Sequence, residues 1–573
     1  MKHLSTIASF VIISVLVFIR ISYLRWDTPT VTTTLTWDAL GYYLYLPGQF
    51  IYHDLGQLKW FPHILEAYQP TGNVYQISAL PNGNYAMKYL MGLSIMYLPF
   101  FFLGHWSAGW LGYAQDGFSA PYQLAICLAA LVYALLGCWI LRAVLRRFFP
   151  EIVTAITLLL VALATNYPQY VSVDSGQTHG FLFTMYAALL YATVRWHEKP
   201  SVGWAFAIGA IIGLSCITRP TEGVMLFIPL LWRIKDQAKW ALWRQHRTHL
   251  FAAMLGGFLA IFPQLAYWKY VTGHWMYDVG SKWTFFRPHW QVLFGWNKGW
   301  FVYTPITLFM IAGLFFMRSH PFRKSVLFFT LMNIWIIIAW SDWRYGGSYS
   351  CRALVQSYAV LALPLAIMVE KCLRSRWKYV GLALAVFLLY LNLFQIWQYN
   401  RTIVHYYDMN RRYYQAIFLK AQPTPLDMSL LDTKERLSSE NGFSRQILFA
   451  SDSTVQINTD RQDRKVFFES ERSTWPERRP GREQWLRITA QVNSAWGAFD
   501  SQLITRLAAG ERLKETACRL ENGICEPGAW NTIDYYFYLP DDYSTGKLTV
   551  LAETKAQQDI FIRQVTVQLL SNE

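Results

Sequence analysis

Acidic, basic and aromatic side chains recur in five short stretches of this sequence, each beside a long hydrophobic run. The first stretch, WDALGYYLYLP, carries a single acid, Asp38. The other candidates, in chain order, are Tyr42, Tyr43, Lys88, Asp174, His179, Arg219, Lys298, Arg344 and Arg352. A carboxylate can take a proton from a hydroxyl group, and arginine and lysine bind phosphate through charge-assisted hydrogen bonds. The mixture therefore indicates a site that binds an anion and moves a proton.

Several other kinds of chemistry lack their usual sequence patterns. The chain has no glycine-rich phosphate loop, no G-x-S-x-G, no H-E-x-x-H and no Cys/His cluster with zinc spacing. Asp38, Asp174 and His179 leave a divalent cation open, but three scattered ligands do not define a metal site. We therefore predict no bound cofactor and no dedicated metal.

The elements that position these residues are membrane helices. Of the 573 residues, 54% are hydrophobic and only 15% are charged, which is less charge than soluble domains carry. Apolar runs of about 20 residues are long enough to cross a bilayer. We interpret as spans the runs 6–23, 122–145, 152–171, 180–196, 203–219, 222–234, 250–271, 304–318, 325–341, 354–371 and 378–398.

The basic loops set the orientation. If the run 89–109 is shallow or re-entrant, the arginine- and lysine-rich loops all lie on one side together with Lys2, and that side is the cytoplasm. Counting 89–109 as a span would place RAVLRRFFP outside. We therefore predict eleven spans with a cytoplasmic N-terminus, the first run being an anchor rather than a cleaved signal. The net charge of +15 is explained by these loops and requires no nucleic acid.

The candidate residues then lie at the outer ends of the spans. Each has an ordinary alternative: tyrosines form interfacial belts, a lone aspartate caps a helix, and Arg219 before a proline is a snorkelling helix end. Ionisable groups at membrane depth are costly and tend to mark functional sites. Because acids and cations from five segments converge on one side, we favour a site.

The C-terminal part of the chain has a different pattern. Residues 441–573 contain no span and alternate in the strand period, as in Leu486, Ile488 and Ala490. We predict an extracytoplasmic β-sandwich, jelly-roll-like, preceded by a connecting segment at 401–440 and a membrane domain at 1–400. Cys518 and Cys525 close a short loop, and an oxidising compartment favours a disulfide between them; two free thiols are the alternative.

The membrane part resembles the GT-C glycosyltransferases, which include the protein mannosyltransferases and the aminoarabinose transferase of lipid A. The stretches that carry the resemblance, over about 1–400, are WDALGYYLYLP, KYLMG, DSGQTHGF, ITRPTEG, WNKGWFVYTP and WRYGGSYSCRA. The family often has paired acids in the first outer loop, whereas Asp38 stands alone beside Trp37. The bacterial members of this group imply an inner-membrane protein with a periplasmic C-terminal domain.

The resemblance implies a polyprenyl-phosphate-linked sugar as donor and a glycan, lipid or protein hydroxyl as acceptor. Asp38 would be the general base, and the hexosyl or pentosyl group would be transferred with inversion. The donor phosphate would be held by Arg219, Lys298, Arg344 and Arg352, and the substrates by Tyr42, Tyr43, Lys88, Asp174 and His179.

Two other functions remain open from the sequence. A transporter or flippase of lipid-linked sugars would also have many spans and an outer cationic cavity, although it would usually show internal repeats, which we do not see. A cell-envelope assembly protein would explain the sandwich but not the clustered ionisable groups.

Overall fold

The computed structural model describes residues 3–23, 34–233, 235–460, 462–475, 483–495, 497–523, 528–543, 545–555 and 558–572. The chain divides into two compact units, Met1–Leu393 and Phe394–Glu573. The first is helical and the second is built on β-strands, so the predicted fold class is confirmed. Cys525 lies outside the described residues, and its pairing with Cys518 stays a prediction.

The first unit consists of α-helices with a few short irregular elements. Its described residues include an antiparallel hairpin, β1 (Ile77–Ala79) with β2 (Tyr85–Met87), a π-helix, Gln169–Val173, and the 3-10 helices Pro220–Leu226 and Arg352–Ser357. The α-helices that begin in this unit are Leu4–Ser22, Trp37–Tyr43, Tyr45–Phe50, Phe61–Tyr68, Gly92–Leu111, Ala120–Leu145, Glu151–Leu163, Thr178–Glu198, Val202–Cys216, Phe227–Leu231, Gln237–Gln245, Thr248–Thr272, Gln291–Phe294, Trp300–Tyr303, Ile306–Leu314, Arg323–Ile338, Tyr358–Arg374 and Lys378–Asn400.

Within the described part of the chain, five helices are long and apolar enough to cross a membrane. They are Leu4–Ser22, Ala120–Leu145, Thr248–Thr272, Arg352–Arg374 and Lys378–Asn400. Other predicted spans form shorter helices: the run 152–171 gives Glu151–Leu163, and the run 222–234 gives only Phe227–Leu231 after a 3-10 turn. At 1.5 Å per residue such helices are shorter than the hydrocarbon core, which is about 30 Å thick. The number of eleven spans stays a prediction.

Small residues bring two helices into close contact beside the candidate residues. A Cβ atom on Gly209 would lie 1.8 Å from the carbonyl oxygen of Ala253, and one on Gly256 would lie 2.3 Å from that of Phe206. Glycines at such crossings let helix backbones approach closely in membranes. The pairing of Val202–Cys216 with Thr248–Thr272 therefore fixes the position of the turn that carries Arg219.

The second unit is a two-sheet sandwich of antiparallel strands. They are β3 (Phe443–Ser451), β4 (Val455–Ile457), β5 (Arg464–Glu471), β6 (Gln484–Asn493), β7 (Ser501–Ala509), β8 (Arg512–Arg519), β9 (Asn531–Leu539), β10 (Lys547–Thr554) and β11 (Ile560–Asn572). One sheet has the order β5-β10-β7-β8, and the other has the order β3-β11-β6-β9 with β4 paired to β11. This order is that of a jelly roll, two interlocked Greek keys.

The core of the sandwich follows from the period-two alternation of the sequence. Leu486, Ile488 and Ala490 of β6 are buried against Leu503 of β7 and Leu548 of β10. Apolar side chains from both sheets therefore fill one layer, and the alternation predicted from the sequence is confirmed. The segment 401–440 contributes two short helices, Arg411–Ile417 and Pro425–Ser429, to the same unit.

The predicted orientation can be tested by cysteine labelling. Gln237 and Asn572 are both exposed, so a thiol at either position is reachable, whereas Lys239 of the same basic segment is buried. In intact cells, an impermeant maleimide is expected to label Asn572→Cys but not Gln237→Cys, because the basic segment would lie in the cytoplasm. After permeabilisation both should react. Labelling of Gln237→Cys in sealed cells would exclude the proposed topology.

Candidate active site

Asp38 lies at the start of the helix Trp37–Tyr43 and accepts hydrogen bonds on both carboxylate oxygens. Arg352 Nη2 lies 2.7 Å from Oδ2, and the hydroxyls of Tyr75 and Tyr89 lie 2.8 Å and 2.5 Å from Oδ1. The side chains of Asp38 and Arg352 are 18% and 14% exposed. The carboxylate is therefore held from two sides while part of it stays open to solvent.

The backbone that presents Asp38 is unusual. Trp37 has φ +50°, a left-handed conformation that is unfavourable for a bulky residue. Its amide donates to the carbonyl of Pro70 at 3.2 Å, and its carbonyl accepts from Gln76 Nε2 at 3.2 Å. Strained backbone persists where its surroundings fix it, and it clusters at functional sites. The contacts of Trp37 thus hold the backbone that presents Asp38.

The surroundings of Asp38 favour its ionised form. Burial raises the pKa of its carboxyl, but the charge of Arg352 and the hydrogen bonds from Tyr89, Tyr75 and Arg352 outweigh burial and hold the pKa below 3.8. At neutral pH the group is therefore a carboxylate paired with a guanidinium.

Arg352 is delivered by the turn 343–351, which also has left-handed residues. Tyr345, Gly346 and Ser350 have φ values of +54°, +63° and +55°. Lys298 is buried and donates to the carbonyl of Gly346 and to Ser348 Oγ, the latter at 2.9 Å. Burial, then the positive charge of Arg352, lowers the pKa of Lys298 to about 7. The ammonium of Lys298 is thus engaged in shaping the turn that holds Arg352.

A second buried carboxylate, Glu222, lies in the same unit. Its oxygens accept hydrogen bonds from the hydroxyl of Tyr186 and from Gln356 Nε2, the latter at 3.0 Å. Gln356 Oε1 lies 3.1 Å from Nδ1 of His179, so the amide links the carboxylate to the imidazole. Glu222 was not predicted from the sequence, because the acid falls at the start of the apolar run 222–234. A lone acid at such a position was the available signal.

Arg219 lies within electrostatic reach of both Tyr42 and Glu222. The charges of Arg219, Asp38 and Arg352 all act on Tyr42, whose pKa is raised by burial to about 12. The charge of Arg219 also acts on Glu222 and His179. Among the described residues, the guanidinium of Arg219 makes no hydrogen bond or salt bridge, and the residue is half-buried. Arg219 is therefore the cation of this site that is best placed to take an added anion.

Asp174 follows the π-helix Gln169–Val173, a helix form that often marks functional positions. Its carboxylate accepts from Gln169 Nε2 at 3.1 Å. Burial raises its pKa, while Gln169, Arg352 and then Arg20 oppose the rise. Arg20 donates to the carbonyls of Ser172 and Val173 at 3.1 and 3.0 Å. Arg20, a buried arginine within the first apolar helix, was not predicted from the sequence.

Three predicted residues occupy other positions. Tyr43 is fully buried and donates to the carbonyl of Gly117 at 2.6 Å, so the structure places it in the helical core rather than beside Asp38. Lys88 is exposed, with its Nζ 5.3 Å from the ring centroid of Tyr75. Arg344 packs on Trp343, 5.4 Å from the ring centroid, and its charge acts on Lys298.

The described residues contain no group of three His, Cys, Asp or Glu side chains that could hold a metal ion. Asp38, Asp174 and His179 do not form a ligand set, because Asp38 is paired with Arg352 and His179 with Gln356. The arrangement can hold one ionised carboxylate against the guanidinium of Arg352, and the charge of a second guanidinium, that of Arg219, acts on Tyr42 together with both members of the pair.

Residues 118–268 match the family model described as dolichyl-phosphate-mannose-protein mannosyltransferase. This match confirms the resemblance to the GT-C membrane glycosyltransferases. The matched segment includes Asp174, His179, Arg219 and Glu222, whereas Asp38 and Arg352 lie outside it. No curated protein matches the chain.

Two solved structures are similar to the chain. One is ArnT from Cupriavidus metallidurans bound to undecaprenyl phosphate, with 15% identity over 63% of this chain and 60% of that chain and a TM-score of 0.40. The other is the archaeal oligosaccharyltransferase AglB from Archaeoglobus fulgidus, in complex with an inhibitory peptide and a dolichol-phosphate, with 12% identity over 75% and 61% and a TM-score of 0.40. The chain thus spans about six tenths of the length of each.

Gln356 is predicted to stabilise the folded protein by linking Glu222 to His179. Gln356→Met keeps the length of the side chain but leaves one oxygen of Glu222 and one nitrogen of His179 without their partner. Each unsatisfied buried group costs about 1–3 kcal/mol, so the thermal midpoint of the purified protein should fall by several degrees. Gln57→Met, at an exposed position, is the control. An unchanged midpoint for both variants would show that the link does not contribute to stability.

Proposed function

We propose that this protein is a membrane glycosyltransferase that moves a sugar from a polyprenyl-phosphate-linked donor to a hydroxyl acceptor on the outer face of the membrane, with Asp38 as general base. The observation that carries the proposal is the ionised Asp38 carboxylate held beside Arg352 in the unit that also contains Arg219. The family match of residues 118–268 supports the same reaction class.

In the proposed reaction the acceptor oxygen attacks the anomeric carbon while its proton passes to Asp38. The bond from that carbon to the phosphate oxygen breaks, and the lipid phosphate leaves with the electron pair. Asp174 and Glu222 are held by Gln169 and by Tyr186 with Gln356. Neither is presented as a second nucleophile, so a single displacement with inversion is expected.

The Asp38–Arg352 pair suggests how donor binding would activate the base. A carboxylate paired with arginine has a low pKa and is a weak base. The donor phosphate can accept both arms of a guanidinium fork, whereas Asp38 accepts from Nη2 of Arg352, so the phosphate would draw Arg352 towards itself and Arg219. Asp38 would then keep only its bonds from Tyr75 and Tyr89, and its pKa would rise towards a value suited to accept a proton.

A largely apolar cavity of about 370 Å³ in the same unit fits the lipid part of this donor. It is lined in part by Leu55, Met91, Pro263, Ala266 and Tyr267. Met91 is two residues from Tyr89, which bonds to Asp38, and Tyr267 packs edge-on to Tyr45 with ring centroids 4.9 Å apart. Apolar walls in the unit that also holds Arg219 and Arg352 suit a prenyl chain that ends in phosphate.

Asp38→Asn tests the base directly. The amide keeps the size of the side chain and can still accept from the two tyrosines, but it cannot take the proton. Turnover of a polyprenyl-phosphate sugar by the purified protein should fall about 10²–10⁴-fold, while binding of undecaprenyl phosphate is retained.

Asp54→Asn is the matched control in the same outer loop. Asp54 accepts from the backbone amides of Gly56, Gln57 and Lys59 at 2.8–3.1 Å and therefore shapes the loop without facing Arg352. Its loss should reduce turnover only mildly. If Asp38→Asn retains the wild-type rate of turnover, Asp38 is not the base. If the wild type moves lipid-linked sugar across the membrane of vesicles without consuming it, the protein is a transporter.

Arg219→Ala tests phosphate recognition. Since the Arg219 guanidinium has no hydrogen-bond partner among the described residues, its main loss would be a charge-assisted contact to the donor, worth about 1.5–3 kcal/mol. The Kd for undecaprenyl phosphate should rise about 10- to 100-fold. Arg219→Lys should retain only part of the wild-type affinity, because lysine lacks the bidentate fork. Arg244→Ala removes the same charge from an exposed position and should leave the Kd unchanged. Equal affinities for all three variants would place the phosphate elsewhere.

A further inference from the structure

A concave polar pocket of about 230 Å³ lies in the C-terminal unit, and no residue of the candidate active site lines it. Its walls come from the segment 405–408, from the start of β7 at 500–502 and from the end of β8 at 519–521. It is smaller than the cavities of roughly 300–1,000 Å³ that enclose drug-sized ligands. The space is therefore suited to one ring-sized group.

The floor of the pocket is a buried and fully oriented pair. His405 Nδ1 accepts from the backbone amides of Tyr407 and Asp408 at 3.1 and 2.9 Å. Because that nitrogen is an acceptor, the ring proton lies on Nε2, which donates to Glu521 at 3.1 Å. His405 is 4% exposed. The pair thus presents a fixed carboxylate rather than a mobile surface charge.

Acceptors outnumber cations around this floor. Arg519 is already paired with Asp408 at 3.0 Å and with Asp432 at 2.7 Å. The carboxylate of Asp500 has no hydrogen bond or salt bridge to any described residue, and the residue is exposed. Carboxylates accept hydrogen bonds from hydroxyl and ammonium groups and repel anions. The pocket therefore selects a ligand with donors and without negative charge.

Tyr406 and Tyr407 line the same pocket, and Phe499 precedes the lining residue Asp500 in the chain. Tyr407 is 38% exposed and Phe499, next to Asp500, is 41% exposed. Tyr406 packs edge-on to Phe499 with ring centroids 6.1 Å apart, which holds the two segments together. Exposed aromatic faces offer flat apolar contact, and a tyrosine adds a polar tip. A ligand with one apolar face and a rim of hydrogen-bond donors matches both features.

We infer that this pocket binds a single uncharged or amino-bearing sugar ring of a glycan. The ring would stack on Tyr407 and donate hydroxyl protons to Asp500, Asp408 and Glu521. The inference concerns binding in the C-terminal unit and does not require Asp38 chemistry, so it can stand or fall separately from the proposed transfer reaction.

The test is direct titration of the full-length protein in detergent, followed by saturation-transfer NMR, with neutral hexoses, glucosamine and glucuronate as probes. We expect binding of a neutral or amino sugar and none of glucuronate. Asp500→Asn should weaken the affinity about tenfold or more, because a hydrogen bond to a charged acceptor is lost. Tyr407→Ala should also weaken it, whereas Tyr407→Phe, which keeps the ring face, should bind nearly as the wild type does.

A control variant shows whether the sugar occupies this pocket. Asp452→Asn removes an exposed carboxylate of the same sandwich outside the pocket and should bind sugar normally. A wild-type protein that binds sugar here but transfers none from a polyprenyl-phosphate donor would refute the proposed function alone. Sugar binding unaffected by Asp500→Asn and Tyr407→Ala, binding of glucuronate in preference, or binding of Ca²⁺ with no sugar would overturn the inference.

Discussion

The pairing of Asp38 with Arg352 is the interaction on which the helical unit's site depends. Removing two charges from water is expensive, and attraction between them compensates only when the geometry is good and the remaining lone pairs are satisfied. Here the hydroxyls of Tyr75 and Tyr89 occupy the carboxylate oxygen that Arg352 leaves free. Removing either charged partner would leave an uncompensated charge. The segment 37–89, which carries Asp38 and the two tyrosines, and the turn 343–351, which leads into Arg352, must therefore pack against each other.

This requirement accounts for left-handed backbone in the two segments that carry the pair. Trp37, Tyr345 and Ser350 have left-handed φ values although none is glycine, and all three lie in the two segments that carry the pair. The π-helix before Asp174 and the 3-10 helix at Arg352–Ser357 lie at the same kind of junction. Regular helices carry the apolar burial, and their irregular ends deliver the ionisable groups. The local strain is held in place by the surrounding packing.

The two units use different physical means to order polar groups. In the helical unit, the fully buried carboxylate of Glu222 is satisfied by the neutral donors Tyr186 and Gln356, and Asp38 is the carboxylate of the site that is paired with a charge. In the sandwich, ion pairs are numerous and lie on a jelly-roll frame whose core is closed by aliphatic and aromatic side chains from both sheets. The pocket in the sandwich unit has a buried pair, His405 with Glu521, as its floor. At its edge lies the carboxylate of Asp500, which has no partner among the described residues.

The sequence by itself determined the class of each unit and the types of residues available for chemistry. Hydrophobic run length predicted membrane helices, and the alternation of Leu486, Ile488 and Ala490 predicted a buried sheet face, because both signals are local and periodic. The resemblance of short motifs indicated the reaction class. Neither kind of signal contains information on which distant side chains touch.

Only the tertiary structure decided those contacts. Asp38 and Arg352 are 314 positions apart, and their pairing depends on how helices pack rather than on any local pattern. The same packing gave Tyr43 a hydrogen bond to the carbonyl of Gly117 and brought its neighbour Tyr42 within reach of the charges of Asp38 and Arg219, since neighbouring residues on a short helix face different directions. It also gave Glu222 its two donors and left Arg219 without a partner among the described residues. A residue's type sets which bonds it can make, but the approach of segments remote in sequence decides which of those bonds form.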